Sequence, residues 1–282
     1  MKKFLYTILI ILIIIFIILI YARFIGPLGL KTKEISYNTE YISESYDGLK
    51  IVHFSDIHYK KIITKKRVRQ LVSEINKIKP DIVLFTGDLL DSSTNITNKD
   101  ITFLINELSK IESTYGNFAI LGDNDYLKTD TIKNIYIQSN FTLLDNSYSI
   151  IHNENNDQIF IGGVSTSNYE EANIDKTMEY FKNNPDINFK IIMIHEGDYV
   201  DTILEKYNNI NIIVAGNSIN GSVNIPILKR LLLPNGSKKY YNPHYKVNNT
   251  DIYISYGIGL NNLNFRLFNH PSINFYRINK LN

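Results

Sequence analysis

The chain has 282 residues, 44% hydrophobic and 21% charged, with a formal net charge of +2. Those values fit a globular chain, and so small a charge excludes a dedicated nucleic-acid binder, which needs a strong positive field to collect phosphates. Cysteine is absent, which excludes disulfides, thiolate metal ligands and cysteine nucleophiles and leaves the redox compartment open.

The first element is apolar. Phe4 to Ala22 is interrupted only by Thr7 and the amphipathic Tyr6 and Tyr21. These nineteen residues form a helix of roughly 28 Å, the thickness of a bilayer core. A cleaved signal peptide competes with this reading. Its apolar region is shorter, about 7–15 residues, and ends at a small-x-small site; Ala22-Arg23-Phe24-Ile25-Gly26-Pro27 offers none. A retained single-pass anchor over residues 1–23 in a cell membrane is therefore expected. Lys2 and Lys3 precede the span and Arg23, Lys31 and Lys33 follow it, so the positive-inside rule is nearly balanced. The orientation taken is N-terminus inside and the remaining chain extracytoplasmic.

Residues 24–48 read as a tether holding a first extended segment, Lys33 to Tyr37. Leu49 to Phe54 is a short apolar run that stops at Ser55-Asp56. Thr64 to Lys79 carries Val68, Leu71, Val72, Ile75 and Ile78 at helical spacing, and Pro80 ends it. Asp81 to Phe85 reads as a buried strand running into Gly87-Asp88. Ile101 to Ile111 reads as a helix, and Phe118 to Leu121 as a strand running into Gly122-Asp123. Strand signals return at 158–164, 189–194 and 210–215, with helical signals near Met178 and Val200. From Ile252 the chain reads as strands. Alternating strands and helices define an α/β chain, read here as one domain over 49–282.

Four of these strands end in polar residues of metal-binding type: Asp56-Ile57-His58, Gly87-Asp88-Leu89-Leu90-Asp91, Gly122-Asp123-Asn124-Asp125 and Ile194-His195. Ligands of open α/β sheets bind beyond the carboxyl ends of the strands. A single strand-end aspartate usually caps a helix or a turn, and a single histidine is usually packed or exposed without a role. Four in succession point to divalent metal. Two ions about 3.5–4 Å apart polarise a phosphoryl group and supply a nucleophile at neutral pH. Carboxylate and imidazole together suit Mn, Fe or Zn.

The order and spacing of these residues resemble the calcineurin-like metallophosphoesterase family, whose motifs run D-x-H, G-D-x-x-D, G-N-H-D/E, a strand-end histidine and G-H-x-H. The match extends from Leu49 to the C-terminus. It is similar in particular to the membrane-associated subgroup related to UDP-2,3-diacylglucosamine pyrophosphohydrolases, through Tyr256-Gly257-Ile258-Gly259 and Phe265-Arg266-Leu267-Phe268. The resemblance implies a four-layer α-β-β-α sandwich, preceded here by one N-terminal transmembrane helix. It also implies metal-dependent hydrolysis of a phosphoric ester or pyrophosphate, small or lipid-linked, with one or two divalent ions.

Carried over residue by residue, the resemblance makes Asp56 and His58 ligands of a first metal, Asp88 the bridging carboxylate and His195 a ligand of a second. Asp123 stands where the family has an asparagine ligand. Asn124 stands where the family has the histidine that acts on the substrate; it is the second candidate catalytic residue beside Asp88, yet asparagine cannot be a general acid. In Gly216-Asn217-Ser218-Ile219-Asn220-Gly221 both histidines of G-H-x-H are gone. Asn217 retains a carbonyl oxygen for a metal, and Ile219 offers none. Asp91 and Asp125 become candidates for orienting the ligands. His53, His152, His244 and His270 match no ligand position. Three functions stay open: an attenuated phosphoesterase, a fold kept as a binding or regulatory module, and a mononuclear metal sensor.

Overall fold

Alternate residues of one strand serve two different cores. In the run Leu49–Phe54, Val52 and Phe54 face helices, whereas Leu49 and Ile51 face a second sheet. Because strand side chains point to opposite faces in turn, an apolar residue at nearly every position means that both faces are covered. The sequence therefore demands layers on each side.

The computed structural model describes residues 2–60, 63–169, 171–182, 184, 187–219, 223–260 and 265–281. The elements in chain order are α1 (Lys2–Ile20), β1 (Lys31–Thr39), β2 (Leu49–Phe54), α2 (Lys65–Ile78), β3 (Ile82–Phe85), α3 (Asn98–Leu108) and β4 (Gly116–Ala119). There follow α4 (Thr129–Gln138), β5 (Phe141–Leu143), β6 (Ser147–His152), β7 (Gln158–Gly163), α5 (Ile174–Thr177), β8 (Phe189–Ile194) and α6 (Val200–Lys206). The last are β9 (Ile212–Ala215), α7 (Pro226–Leu231), β10 (His244–Val247), β11 (Thr250–Ile254) and β12 (Ser272–Lys280). Two six-stranded sheets result, ordered β1-β12-β2-β3-β4-β5 and β10-β11-β9-β8-β7-β6.

Three cores separate the layers. Val68, Leu71 and Ile75 of α2 and Leu104 of α3 pack on Val52, Phe54, Val83 and Phe85. Ile82, Leu84 and Phe118 of one sheet meet Ile161, Ile191, Met193 and Val214 of the other. Val200 and Ile203 of α6 and Ile174 of α5 cover Phe160, Ile192, Ile213 and Ile252. This is the expected four-layer α-β-β-α sandwich.

Several elements differ from the sequence reading. Helix α3 starts at Asn98 rather than Ile101 because Thr97 and Asp100 form a reciprocal capping box, which satisfies two otherwise unpaired amides. Helix α4, the short strands β5, β6 and β10, and helix α7 were not foreseen. From Ile252 the strands read from the sequence are the end of β11 and the whole of β12. The segment expected at Lys33 to Tyr37 is a longer strand, β1, paired in parallel with β12 from Lys31↔Ser272 to Thr39↔Lys280. Of the final motif, Asn220 and Gly221 lie outside the described residues.

Helix α1 has no buried residue. It continues as a π-turn over Tyr21–Ile25, giving a 24-residue apolar helix long enough to cross a membrane.

Candidate metal centre

The loops after β2 and β3 are laced together by backbone hydrogen bonds. The amides of Asp56, His58 and Tyr59 donate to the carbonyls of Gly87, Asp88 and Leu89. Asp56, His58 and Asp88 all have left-handed backbones, with φ of 52°, 46° and 60°. Such conformations are costly for non-glycine residues and gather at functional sites. Gly122 permits the close approach of the third loop. A Cβ there would fall 2.2 Å from Asp88 Oδ1 and 2.7 Å from His195 Cε1.

Two groups of possible ligand atoms form beneath these loops, Asp56 with His58 and Asp88, and Asp88 with Asp123 and His195. Within each group the atoms lie within 4.8 Å of one another, and Asp88 belongs to both. His58 Nε2 stands 3.7 Å from Asp56 Oδ1 and 3.5 Å from Asp88 Oδ2. His195 Nε2 stands 3.4 Å from Asp88 Oδ2 and 3.8 Å from Asp123 Oδ1. These separations exceed hydrogen-bond length. Asp56 Oδ1, His58 Nε2 and His195 Nε2 are buried without a hydrogen-bond partner. Buried polar atoms without partners demand an explanation. Divalent metal fits, because a carboxylate oxygen and two imidazole Nε2 atoms among these orphans converge on the shared Asp88; His58 Nδ1, also without a hydrogen bond, faces Asp91 instead.

The electrostatics of the protein alone agree with that fit. Burial pulls His58 and His195 down, but the neighbouring carboxylates, Asp56 and Asp88 at His58 and chiefly Asp88 at His195, outweigh it and hold both imidazoles above the ordinary histidine value. Burial pushes Asp88 up, and His195, His58 and the Asn124 amide pull it down to about 2. Asp123 is raised, first by burial and then by Asp88. Concentrated negative charge compensated by imidazolium is the protonated counterpart of a metal site, since metal displaces those protons.

Neighbouring residues hold the candidate ligands in place. His195 Nδ1 lies 2.6 Å from the Thr86 carbonyl, which turns Nε2 toward Asp88. Behind it, Thr86 Oγ1 meets His53 Nε2 at 3.0 Å, and His53 Nδ1 meets the Tyr276 hydroxyl at 3.2 Å. Asp91 Oδ2 lies 3.9 Å from His58 Nδ1. Asp125 accepts hydrogen bonds from the amides of Asp88, Leu89, Leu90 and Gly122, so it ties the second loop to the third. Burial, then Asp88, pushes its carboxyl up to about 7 against the pull of those amides.

Asn124 turns inward. Its amide nitrogen Nδ2 donates to Asp88 Oδ2 at 2.8 Å and to Asp123 Oδ1 at 2.9 Å, and its backbone N–H donates to Asp88 Oδ1. Asn217 donates its backbone N–H to Asp56 Oδ2 and its side-chain Nδ2 to the Asn235 carbonyl. Ile219 is fully buried and packs against Gly257, which also lies beside Asp56.

Sequence reasoning missed four contributors. Asn168 donates to Asp123 Oδ2. Ser55 Oγ donates to Asp56 Oδ2. Glu196 accepts from the Thr166 hydroxyl and the Ser167 amide. Arg266, fully buried, donates to the carbonyls of Tyr256, Gly257 and Gly259, and this loop braces Asp56 through the Gly259 amide. Of these, Ser55 and Arg266 lay in runs already named, with no role assigned.

The sequence profile of the calcineurin-like phosphoesterase family matches residues 49–219. The metallophosphoesterase YkuE of Bacillus subtilis is 25% identical over 264 residues, covering 93% of this chain and 90% of that protein. YkoQ of the same organism, also a metallophosphoesterase, is 24% identical over 93% of this chain and 97% of its own length. A transmembrane protein with a metallophosphoesterase domain from Danio rerio is 27% identical over 42% of this chain, which covers 26% of that protein.

Proposed function

The chain belongs to the calcineurin-like phosphoesterase family, and from that premise we propose that it is a membrane-anchored, metal-dependent phosphoric ester hydrolase with an attenuated site. The observation that carries this reading is the convergence of three orphaned buried atoms, on Asp56, His58 and His195, around the shared Asp88. Asp56, His58 and Asp88 would hold one ion; Asp88, Asp123, His195 and the carbonyl oxygen of Asn217 are the candidate ligands of the second. Bound divalent ions supply charge neutralisation at the phosphoryl group and a nucleophile at neutral pH.

The protein's own groups do the rest. The Thr86 carbonyl orients His195, Asp91 faces His58, and Asp125 sets the backbone that presents Asp88. Asn124 positions the carboxylates of Asp88 and Asp123. It has no proton to give a departing alkoxide. Leaving groups that depart readily as anions are therefore favoured, which places pyrophosphates and activated diesters ahead of alkyl monoesters. A lipid-linked substrate is supported by the apolar helix α1 and by the resemblance to the diacylglucosamine pyrophosphohydrolase subgroup. The basic residues flanking the span are nearly balanced, and an extracytoplasmic domain is the orientation this reading adopts.

A second reading is a module that keeps the fold to bind or regulate, favoured by Ile219 at a ligand position and by an Asn124 amide spent on carboxylates. One experiment separates the two. The full chain, purified in detergent, is assayed for bound metal and for hydrolysis of bis-p-nitrophenyl phosphate with Mn²⁺, beside Asp88→Asn. Metal in the wild type with turnover above that variant is expected. Absence of both gives the module reading.

A further inference from the structure

The far end of the apolar helix is built into the domain. Ala22 is only 3% exposed, unlike every residue of α1, and its carbonyl accepts a hydrogen bond from the Arg266 amide at 2.8 Å. At Gly26 the chain passes so near that a Cβ would fall 1.9 Å from the Arg266 carbonyl oxygen. The segment beginning at Arg266 is therefore fixed against the last turn of the helix.

That segment and the helix end display apolar side chains to the outside. Phe268 is 70% exposed, Phe24 63%, and Ile25 and Leu28 each 52%. Phe268 also has a left-handed backbone, φ 56°, an outlier for a bulky residue. Hydrogen bonds on either side hold the segment: Asn269 Nδ2 donates to the Ile219 carbonyl, and the Asn224 backbone amide donates to the Leu267 carbonyl. The loop thus carries an aromatic ring outward at a conformational cost, as functional sites do.

Length fixes the depth. The 24-residue helix Lys2–Ile25 is about 36 Å long, whereas the hydrocarbon core is about 30 Å thick. With Lys2 and Lys3 at one headgroup layer, Ala22 to Ile25 reach the other. Phe268, two residues from Arg266, lies within about 7 Å of chain from that level. Positive charge gathers on the same end. His270 is pulled down first by burial and then by Lys31, Arg266 and Lys33, and Arg23 caps the span, as basic residues do at headgroups.

We infer that Phe268, with Phe24, Ile25 and Leu28, forms a surface that inserts into the headgroup and upper acyl region of the same bilayer that α1 spans. This rests on the reading of α1 as a membrane anchor. The domain then does not swing on a tether; it lies on the membrane, with the loop that braces Asp56 and Ile219 forming its lipid-side floor.

The chain has no tryptophan, so single reporters can be read directly. F268W and L28W are placed one at a time in the full chain, reconstituted in vesicles whose lipids are brominated high on the acyl chain. F16W, in mid-helix, and Y148W, on β6 of the opposite sheet, serve as controls. The F268W and L28W emissions are expected to lose about half or more of their intensity relative to unbrominated vesicles, as for side chains buried about 5–10 Å into the interface, while Y148W is unchanged. F16W quenched with F268W and L28W unquenched would overturn the docking surface and leave the anchor standing. F16W unquenched would overturn both. Neither outcome depends on hydrolysis, so the phosphoesterase reading stands or falls separately.

Discussion

Asp56-Ile57-His58 and Asn217-Ser218-Ile219 share left-handed outer residues and differ in chemistry. The outer residues of the first have φ of 52° and 46°, and those of the second 59° and 48°. Both tripeptides follow the carboxyl end of a buried strand, β2 in one sheet and β9 in the other. The first presents a carboxylate and an imidazole. The second presents an amide, whose Nδ2 is bonded to the Asn235 carbonyl, and a buried isoleucine. A β-branched residue in the left-handed region is a severe outlier, costing about 1–3 kcal/mol. The contrast teaches that a ligand-presenting loop and its ligands are separable: the loop shape is held by surrounding contacts, including the Asn269 bond to the Ile219 carbonyl, and does not need a donor side chain to persist.

The largest expected effect removes the residue the two groups share. Asp88→Asn should abolish both metal retention and hydrolysis, measured by metal content after dialysis and by turnover; retained metal would show that the groups act independently of Asp88. Next comes Asn124→His, which restores a proton donor. It should raise hydrolysis of an alkyl phosphodiester by about 10²–10⁴-fold, and of a p-nitrophenyl ester much less. Equal gains on both would mean that leaving-group protonation is not what the site lacks.

Ile219→His tests the comparison most directly. If the second tripeptide is still poised for ligands, the bound-metal stoichiometry should rise, and an unchanged count would show that backbone shape alone is insufficient. A smaller effect is thermal. Saturating Mn²⁺ at about a hundred times its dissociation constant should add about 2.7 kcal/mol of stability, visible as a higher Tm in the wild type and absent in His195→Gln.

The smallest concerns His53, behind the first tripeptide. Burial pulls its imidazole down to about 3, so the unfolded chain takes up its proton first as pH falls. The stability it confers is complete above the unfolded value near 6.5 and is lost as pH drops from there toward 3. Chemical unfolding across that window should show a shallower acid loss in His53→Gln than in the wild type; parallel curves would remove His53 from the acid response.

How much of this was legible in the sequence depends on whether the signal was local. β2, β3, β8 and β9 were found because both faces are buried and the runs are unbroken. Asp56, His58, Asp88, Asp123 and His195 were singled out as candidate ligands because each lies within four residues of the end of a buried strand, β2, β3, β4 or β8. Helix α3 was placed three residues late because its start is set by Thr97 and Asp100, an aspartate version of the capping box, rather than by its apolar spacing. Asn168 and Arg266 lie in irregular segments with no period to read. Their partners, Asp123 and the 256–259 carbonyls, are reached only through tertiary folding.

The pairing of β1 with β12 bears on how the molecule can be dissected. β12 is nine residues long and mostly buried, and β1 covers its outer backbone groups. A soluble fragment beginning inside β1, for instance at Ser36, would strip about half of that cover and leave a long, mostly buried strand open to edge-to-edge association. A cut between Gly26 and Lys31 keeps the whole strand and gives up only the helix contact. Fragments that precipitate and fragments that stay monodisperse should therefore divide at Lys31.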